Sequence, residues 1–132
     1  MIAIDTSALV AIAFDEPECE VFQGAIVEAD QVLVSAVTVV EARMVLHGRK
    51  GPAGLATLDA ILGSPKLEIV SPSPEELDIA HAAFVAYGKG SGHPAQLNFG
   101  DLFSYALAKA RDVPLLYKGD DFVHTDIAAA AR

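Results

Sequence analysis

Basic residues are scarce in this chain: nine Lys and Arg stand against eighteen Asp and Glu over 132 residues, a formal net charge of −9 at pH 7. That excludes a nucleic-acid binder working through a broad basic surface, so any such contact must be local or mediated by a metal. Cysteine is nearly absent. Cys19 stands alone, which rules out an internal disulfide, and without CxxC or paired Cys/His spacing a structural zinc site is excluded as well. Low-complexity stretches and internal repeats are missing, and with 52% hydrophobic residues the composition is not that of a disordered chain. The opening "MIAIDTSALV" lacks the basic segment of a signal peptide, and Asp5 interrupts the only apolar run that approaches membrane length. The expectation is a soluble, cytoplasmic protein with no membrane span, built as one domain over residues 1–132 with a core that needs no covalent staples.

What is present is an alternation of apolar runs and helical periodicity. "MIAI" reads as a strand ending at Asp5, and "SALVAIAF" as a helix stopped by "DEP". A second helix is expected from about Pro17 through Ala29, with proline at its start. "QVLVS", residues 31–35, reads as a buried strand. "AVTVVEARMVLHGR" carries helical spacing and closes at Gly48, "RKGPAG" reads as a loop, and "LATLDAIL" as a further amphipathic helix. "KLEIV", residues 66–70, gives a third strand; Ser73 caps and Pro74 opens a long helix; residues 88–94, "GKGSGHP", form a flexible loop. A helix from about Phe99 to Asp112 and a strand in "VPLLYKG" complete the pattern before the acidic turn "DDF". Strands alternating with helices, the strands apolar and expected to be buried, imply an α/β fold with a parallel sheet covered on both faces, and in such sheets ligands bind beyond the carboxyl ends of the strands.

The acids carry the chemistry. Asp5 sits at the carboxyl end of the first strand, where it also has the place of an N-cap for the next helix. Asp101 stands three residues after Asn98, the form of a capping box, where a carboxylate also meets the positive end of the helix dipole. Glu41 is harder to explain locally: Val37, Val40 and Met44 place it on an apolar stripe, with no cation three or four residues away. A carboxylate on a buried face is costly unless paired or bound to metal. Asp120 and Asp121 follow Gly119 at the end of the last strand, and Asp126 reads as a cap. In a doubly wound sheet these acids can meet at one edge, and their mutual repulsion then calls for a cation. Hard oxygen donors point to Mg²⁺, with Mn²⁺ as a substitute, and to phosphodiester hydrolysis.

Four segments, "IDTSAL", "EAR" with Glu41, "NFGDLFSYALA" and "LLYKGDDFVHTDI", in this order and spacing along nearly the whole chain, resemble the PIN-domain ribonucleases, specifically the VapC toxins of bacterial toxin–antitoxin pairs. The resemblance implies a three-layer α/β/α sandwich around a mainly parallel sheet and a Mg²⁺-dependent endoribonuclease. It also implies a homodimer and a cognate VapB-type antitoxin that covers the acidic site. Residue by residue, it makes Asp5 and Asp101 direct metal ligands, completed by Glu41, with Ser7 and Ser104 as polar companions. The fourth acid falls on Asp120 first, with Asp121 close behind. Arg43 and Lys118 are candidate substrate contacts, and Arg43, His47, Arg49 and Lys50 together form a candidate phosphate track.

Other constellations are weaker. No histidine pair has HxxxH spacing, although His124 lies within reach of the "DDF" turn, and GxxxxGK followed by Ser or Thr is absent. A receiver-type phosphoacceptor domain needs paired acids after the first strand and an Asp after the third, and "DTS" and "IVSPS" supply neither. The alternative is a catalytically silent binding module of the same fold, presenting Leu55, Leu58, Ile61 and Leu62 to a partner.

Overall fold

The computed structural model describes residues 1–131, without the side chain of Lys50. Four parallel strands form one sheet in the order β3-β2-β1-β4 among the described residues: β1 (Ile2–Ile4), β2 (Val32–Ser35), β3 (Leu67–Val70) and β4 (Leu115–Leu116). Ala3 pairs with Leu33 on one side and Leu115 on the other. Successive strand residues alternate between faces. Ile2, Ile4, Val32, Val34 and Leu116 pack under α1 (Thr6–Ala13), α2 (Cys19–Glu28), α3 (Ala36–Lys50) and α4 (Pro52–Leu62). Ala3, Leu33 and Leu115 pack under α5 (Pro74–Tyr87) and α6 (Phe99–Arg111). The result is the three-layer α/β/α sandwich, with the strand order reversing between β1 and β4. That reversal opens a crevice at their carboxyl ends.

Local chemistry explains most boundaries. Ser73 accepts from the Glu76 N–H while Glu76 reaches back to the Ser73 N–H, with Pro74 in the first turn, so α5 begins where its capping box places it. Two expectations shift. The second helix starts at Cys19, two residues past Pro17, because Asp15 turns the chain with a positive φ of 51°. The stretch 49–54 is not a loop: α3 runs on to Lys50 and α4 begins at Pro52. Gly51 alone makes the corner at φ 58°, ψ −139°, a conformation open to glycine.

Three further expectations give way. The third strand is at the sheet edge and half-open, with Glu68 and Ile69 exposed, rather than buried. The face of Leu55, Leu58, Ile61 and Leu62 is not open to a partner, since Leu58 is fully buried and Ile61 and Leu62 pack against the core. Asp126 is an anchor more than a cap: it accepts from Tyr105 Oη at 2.6 Å and pairs with Lys109 Nζ at 2.6 Å, tying the C-terminal segment to α6. Among the described residues no helix is long and apolar enough to cross a membrane.

Candidate active site

Asp5 leaves the end of β1 and serves as N-cap of α1, so its two readings coincide: its Oδ2 accepts from the Ser7 N–H at 3.0 Å and from Ser7 Oγ at 2.7 Å. Its Oδ1 accepts from Ser104 Oγ at 2.5 Å, across from α6. Ser104 is within 3.3 Å of Thr38 Oγ1 on α3, and Ser7 Oγ in turn accepts from the Lys118 N–H at 3.0 Å. Both serines named from the sequence therefore hold Asp5, and through them the acid is fixed to α3, α6 and the end of β4. The Asp5 side chain is buried.

Asp101 likewise fills both of its readings. Its Oδ2 accepts from the Asn98 N–H at 3.0 Å, and its own N–H donates to Asn98 Oδ1 at 2.9 Å, which completes the capping box of α6. Oδ1 makes no hydrogen bond among the described residues. Burial pushes the Asp101 carboxyl up to about 7; the Asn98 N–H opposes this, and the charges of Asp5, Asp121 and Glu41 add to it. Those three carboxylates are thus within electrostatic reach of Asp101.

Glu41 is brought in from α3 for a reason other than the one its neighbours suggested. Val40 and Met44 are exposed, at 55% and 70%, so their stripe does not face the core; the buried stripe of α3 is Val39, Ala42 and Leu46. Glu41 is half-buried because Thr6 Oγ1 donates to its Oε1 at 2.5 Å and because its carboxylate lies against Gly100, in the first turn of α6. A side chain at position 100 would occupy the space that Glu41 takes. Thr6 and Gly100 were not singled out from the sequence, and Asn98 only as the cap of its helix. The threonine and asparagine carry ordinary capping-region signals, and only the proximity of two helices gives the glycine its meaning.

These groups line one cleft of about 430 Å³, with Asp5, Glu41, Asp101 and Asp121 among its walls. Asp120 does not line it. Gly119, at φ 97°, turns the chain so that Asp120 lines a separate hollow of about 200 Å³ with Glu18 and Tyr117. Arg43 is also outside, because two residues beyond Glu41 is about 200° around the helix. Arg49, eight residues on and back near the Glu41 face, lines the cleft instead. Lys118 lines it too, with its Nζ held at 3.3 Å by Glu16 and 3.1 Å by Glu18. His124 is exposed and absent from the lining.

A second, apolar hollow of about 490 Å³ lies alongside, walled by Val37, Val40, Met44, Phe99 and Gly100 and sharing Glu41 and Asn98 with the cleft. Among the described residues no three His, Cys, Asp or Glu side chains are placed to hold one ion between them. The donor set is nevertheless all oxygen. Asp101 Oδ1 and Glu41 Oε2 are left without a hydrogen bond among the described residues, and a cation that retains waters needs only one or two carboxylates directly. The residues therefore fit a hard divalent cation.

Comparison with known proteins identifies the family and the fold. The PIN domain family model matches residues 2–128. The ribonuclease VapC30 of Mycobacterium tuberculosis is 48% identical over 129 residues, covering 97% of each chain. Among solved structures, Mycobacterium tuberculosis VapC20, a sarcin-ricin loop cleaving toxin, superposes with a TM-score of 0.81 over the full length of both chains at 16% identity. Rickettsia felis VapBC2, bound to a DNA fragment from its promoter, gives 0.76 over 98% of this chain and 96% of that one at 17% identity. With a family model spanning nearly every residue and a relative 48% identical over 97% of its length, the chain belongs to the PIN-domain family, in its VapC branch.

Proposed function

We propose that this protein is an endoribonuclease, the toxin of a toxin–antitoxin pair, that hydrolyses RNA phosphodiester bonds with Mg²⁺, or Mn²⁺ in its place. The observation that carries the reading is the convergence of Asp5, Glu41, Asp101 and Asp121 on one cleft from four separate segments. Asp5 and Asp101 would hold the cation, with Glu41 and Asp121 completing the site; Asp120, in its separate hollow, is left out of the proposal. When bound, the cation supplies positive charge against the phosphodiester and makes ionising an attacking water less costly.

The chain's own residues supply position. Ser7 and Ser104 fix both oxygens of Asp5, and Thr6 fixes Oε1 of Glu41. The Asn98 N–H fixes Oδ2 of Asp101, so that Oδ1 of Asp101 and Oε2 of Glu41 remain to meet the ligand. The N-termini of α1 and α6 both open into the cleft, and their partial positive charge favours an anionic phosphate as well as the acids. Asn98, on the rim, has an amide suited to a ribose or base edge.

For the partner, the apolar hollow of Val37, Val40, Met44 and Phe99 beside the cleft suits an antitoxin segment that buries apolar side chains while it covers the acids. A homodimer is part of the same proposal. The test is cleavage of RNA by the purified protein with Mg²⁺, then with EDTA, alongside Glu41→Gln. Cleavage that survives complete chelation sinks the metal mechanism. Absence of cleavage under every condition favours the silent binding module.

A further inference from the structure

The cleft is lined by two basic side chains among the described residues, and they are in different states. Lys118 is committed, its ammonium shared between Glu16 and Glu18 at 3.3 and 3.1 Å. Arg49 is not: among the described residues it makes no ion pair and no hydrogen bond, although five carboxylates, Glu16 included, line the same cleft. Its guanidinium lies over the ring of Phe14, 5.3 Å from the centroid, at the residue that closes α1. A guanidinium seated on an aromatic face keeps its in-plane N–H donors for another group. In a chain of net charge −9, a cation held back from the surrounding acids is available for an anion that comes from outside.

Spacing says which anion. Glu41, Val45 and Arg49 follow one another at four-residue intervals along α3 and all line the cleft. Eight residues at a helical rise of 1.5 Å put Arg49 roughly 12 Å along the axis from Glu41. Asp5, Glu41, Asp101 and Asp121 gather at one end of that line and the guanidinium stands at the other, so a polyanion lying in the cleft meets both at different phosphates. We infer that Arg49 grips a phosphate of the RNA backbone flanking the bond to be cut, and positions the strand across the acidic site; this rests on the ribonuclease reading above. Arginine suits the role, since its planar fork matches two phosphate oxygens at once where a lysine offers a point charge. Because the contact is made to a phosphate that does not react, it should be equally strong before and during cleavage, raising KM when lost and leaving kcat in place.

The experiment uses the full chain. Binding of a fluorescein-labelled, mixed-sequence single-stranded RNA is followed by anisotropy in a Glu41→Gln background, with and without Arg49→Gln, over a series of KCl concentrations. Arg49→Gln is expected to weaken binding about tenfold and to reduce the slope of log affinity against log salt by about 0.7, the value of one phosphate contact on a single strand. Arg49→Lys should recover the slope and only part of the affinity. In the otherwise native chain, Arg49→Gln should raise KM about tenfold and keep kcat within about twofold. A melting midpoint unchanged by Arg49→Gln separates the effect from loss of fold. Unchanged affinity and slope in Arg49→Gln overturn the inference and leave the ribonuclease reading intact. Arg49-dependent binding by a wild-type chain that never cleaves overturns that reading and upholds Arg49 as an RNA contact, and failure of the protein to bind RNA at all overturns both.

Discussion

Replacing Gly100 by alanine tests the placement of Glu41 without touching an acid. A Cβ at position 100 would stand 2.5 Å from Glu41 Oε1 and closer still to its carboxyl carbon and Oε2. Ordinary carbon–oxygen contact requires the carboxylate to retreat by about 1 Å or more. The carboxylate is the far end of a flexible side chain, so retreat is easy, but it breaks the 2.5 Å bond from Thr6 Oγ1. Losing a hydrogen bond to a charged group costs about 1.5–3 kcal/mol. Alanine for glycine in a helix returns about 1 kcal/mol. The net effect should be a destabilisation of about 1 kcal/mol, a fall of roughly 3–6 °C in the melting midpoint. A displacement of 1 Å in a catalytic group costs about a hundredfold in rate. Cleavage of a fluorophore–quencher RNA should therefore drop by about two orders of magnitude in a protein that melts nearly as before, with weakened Mn²⁺ binding by calorimetry. A Gly100→Ala protein that cleaves and binds Mn²⁺ like the wild type would refute the argument that Glu41 acts from the position it occupies against α6.

Three further outcomes are expected. Asp121→Asn should reduce RNA cleavage at least about tenfold, as loss of a charged contact of about 1.5–3 kcal/mol implies, while Asp120→Asn stays near wild type; the reverse order in the same assay would return the fourth acid to Asp120. Because the folded chain holds the Asp101 proton up to about pH 7 and the unfolded chain releases it near 3.8, its contribution to stability is fully present below the lower value and lost as pH rises through the upper one. Chemical unfolding of cation-free protein should show wild type losing about 2 kcal/mol more than Asp101→Asn between pH 5 and 8, and parallel profiles would contradict the shift. Asp126→Ala leaves the buried Tyr105 hydroxyl without its acceptor and should lower unfolding free energy by about 1–3 kcal/mol, with RNA cleavage unchanged.

What was legible in the sequence was whatever local chemistry decides. Ser73, Pro74, Asn98 and Asp101 announce their helix starts because capping is a matter of a few adjacent atoms. Asp5 could be placed at a strand end because the apolar run before it stops there. Glu41 was found through a stripe that the core does not take, since Val40 and Met44 are exposed and Val37 half-buried while the core takes Val39, Ala42 and Leu46. Which of two adjacent aspartates turns inward depends on the positive φ of Gly119, and a one-residue turn reverses direction with no trace in composition. Arg49 could have been distinguished from Arg43 by counting from Glu41 in helical steps. Gly100 could not, because its role is to leave room for a residue 59 positions away.

Asp5, Glu41, Asp101 and Asp121 in one cleft ask to be explained as a balance of charge, and the fold supplies part of it. Asp5 caps α1, Asp101 stands in the first turn of α6 with Glu41 against the glycine before it, so two helix N-termini direct partial positive charge at three carboxylates. Hydroxyls of Ser7, Ser104 and Thr6 add donors. If this were a structural arrangement alone, the compensation should be sufficient to leave every acid ionised in the ordinary range. It is not, because Asp101 keeps its proton to about 7 even with the Asn98 N–H working against that. Burial is the main cause, and the charges of Asp5, Asp121 and Glu41 add to it at the crevice where the strand order reverses, from which Lys118 is withheld by Glu16 and Glu18. On the metal-dependent reading proposed above, a mobile cation would offset those charges only when present, so the same cleft that repels a phosphate without it would draw one in with it, and a chain this acidic would then suit a polyanionic substrate.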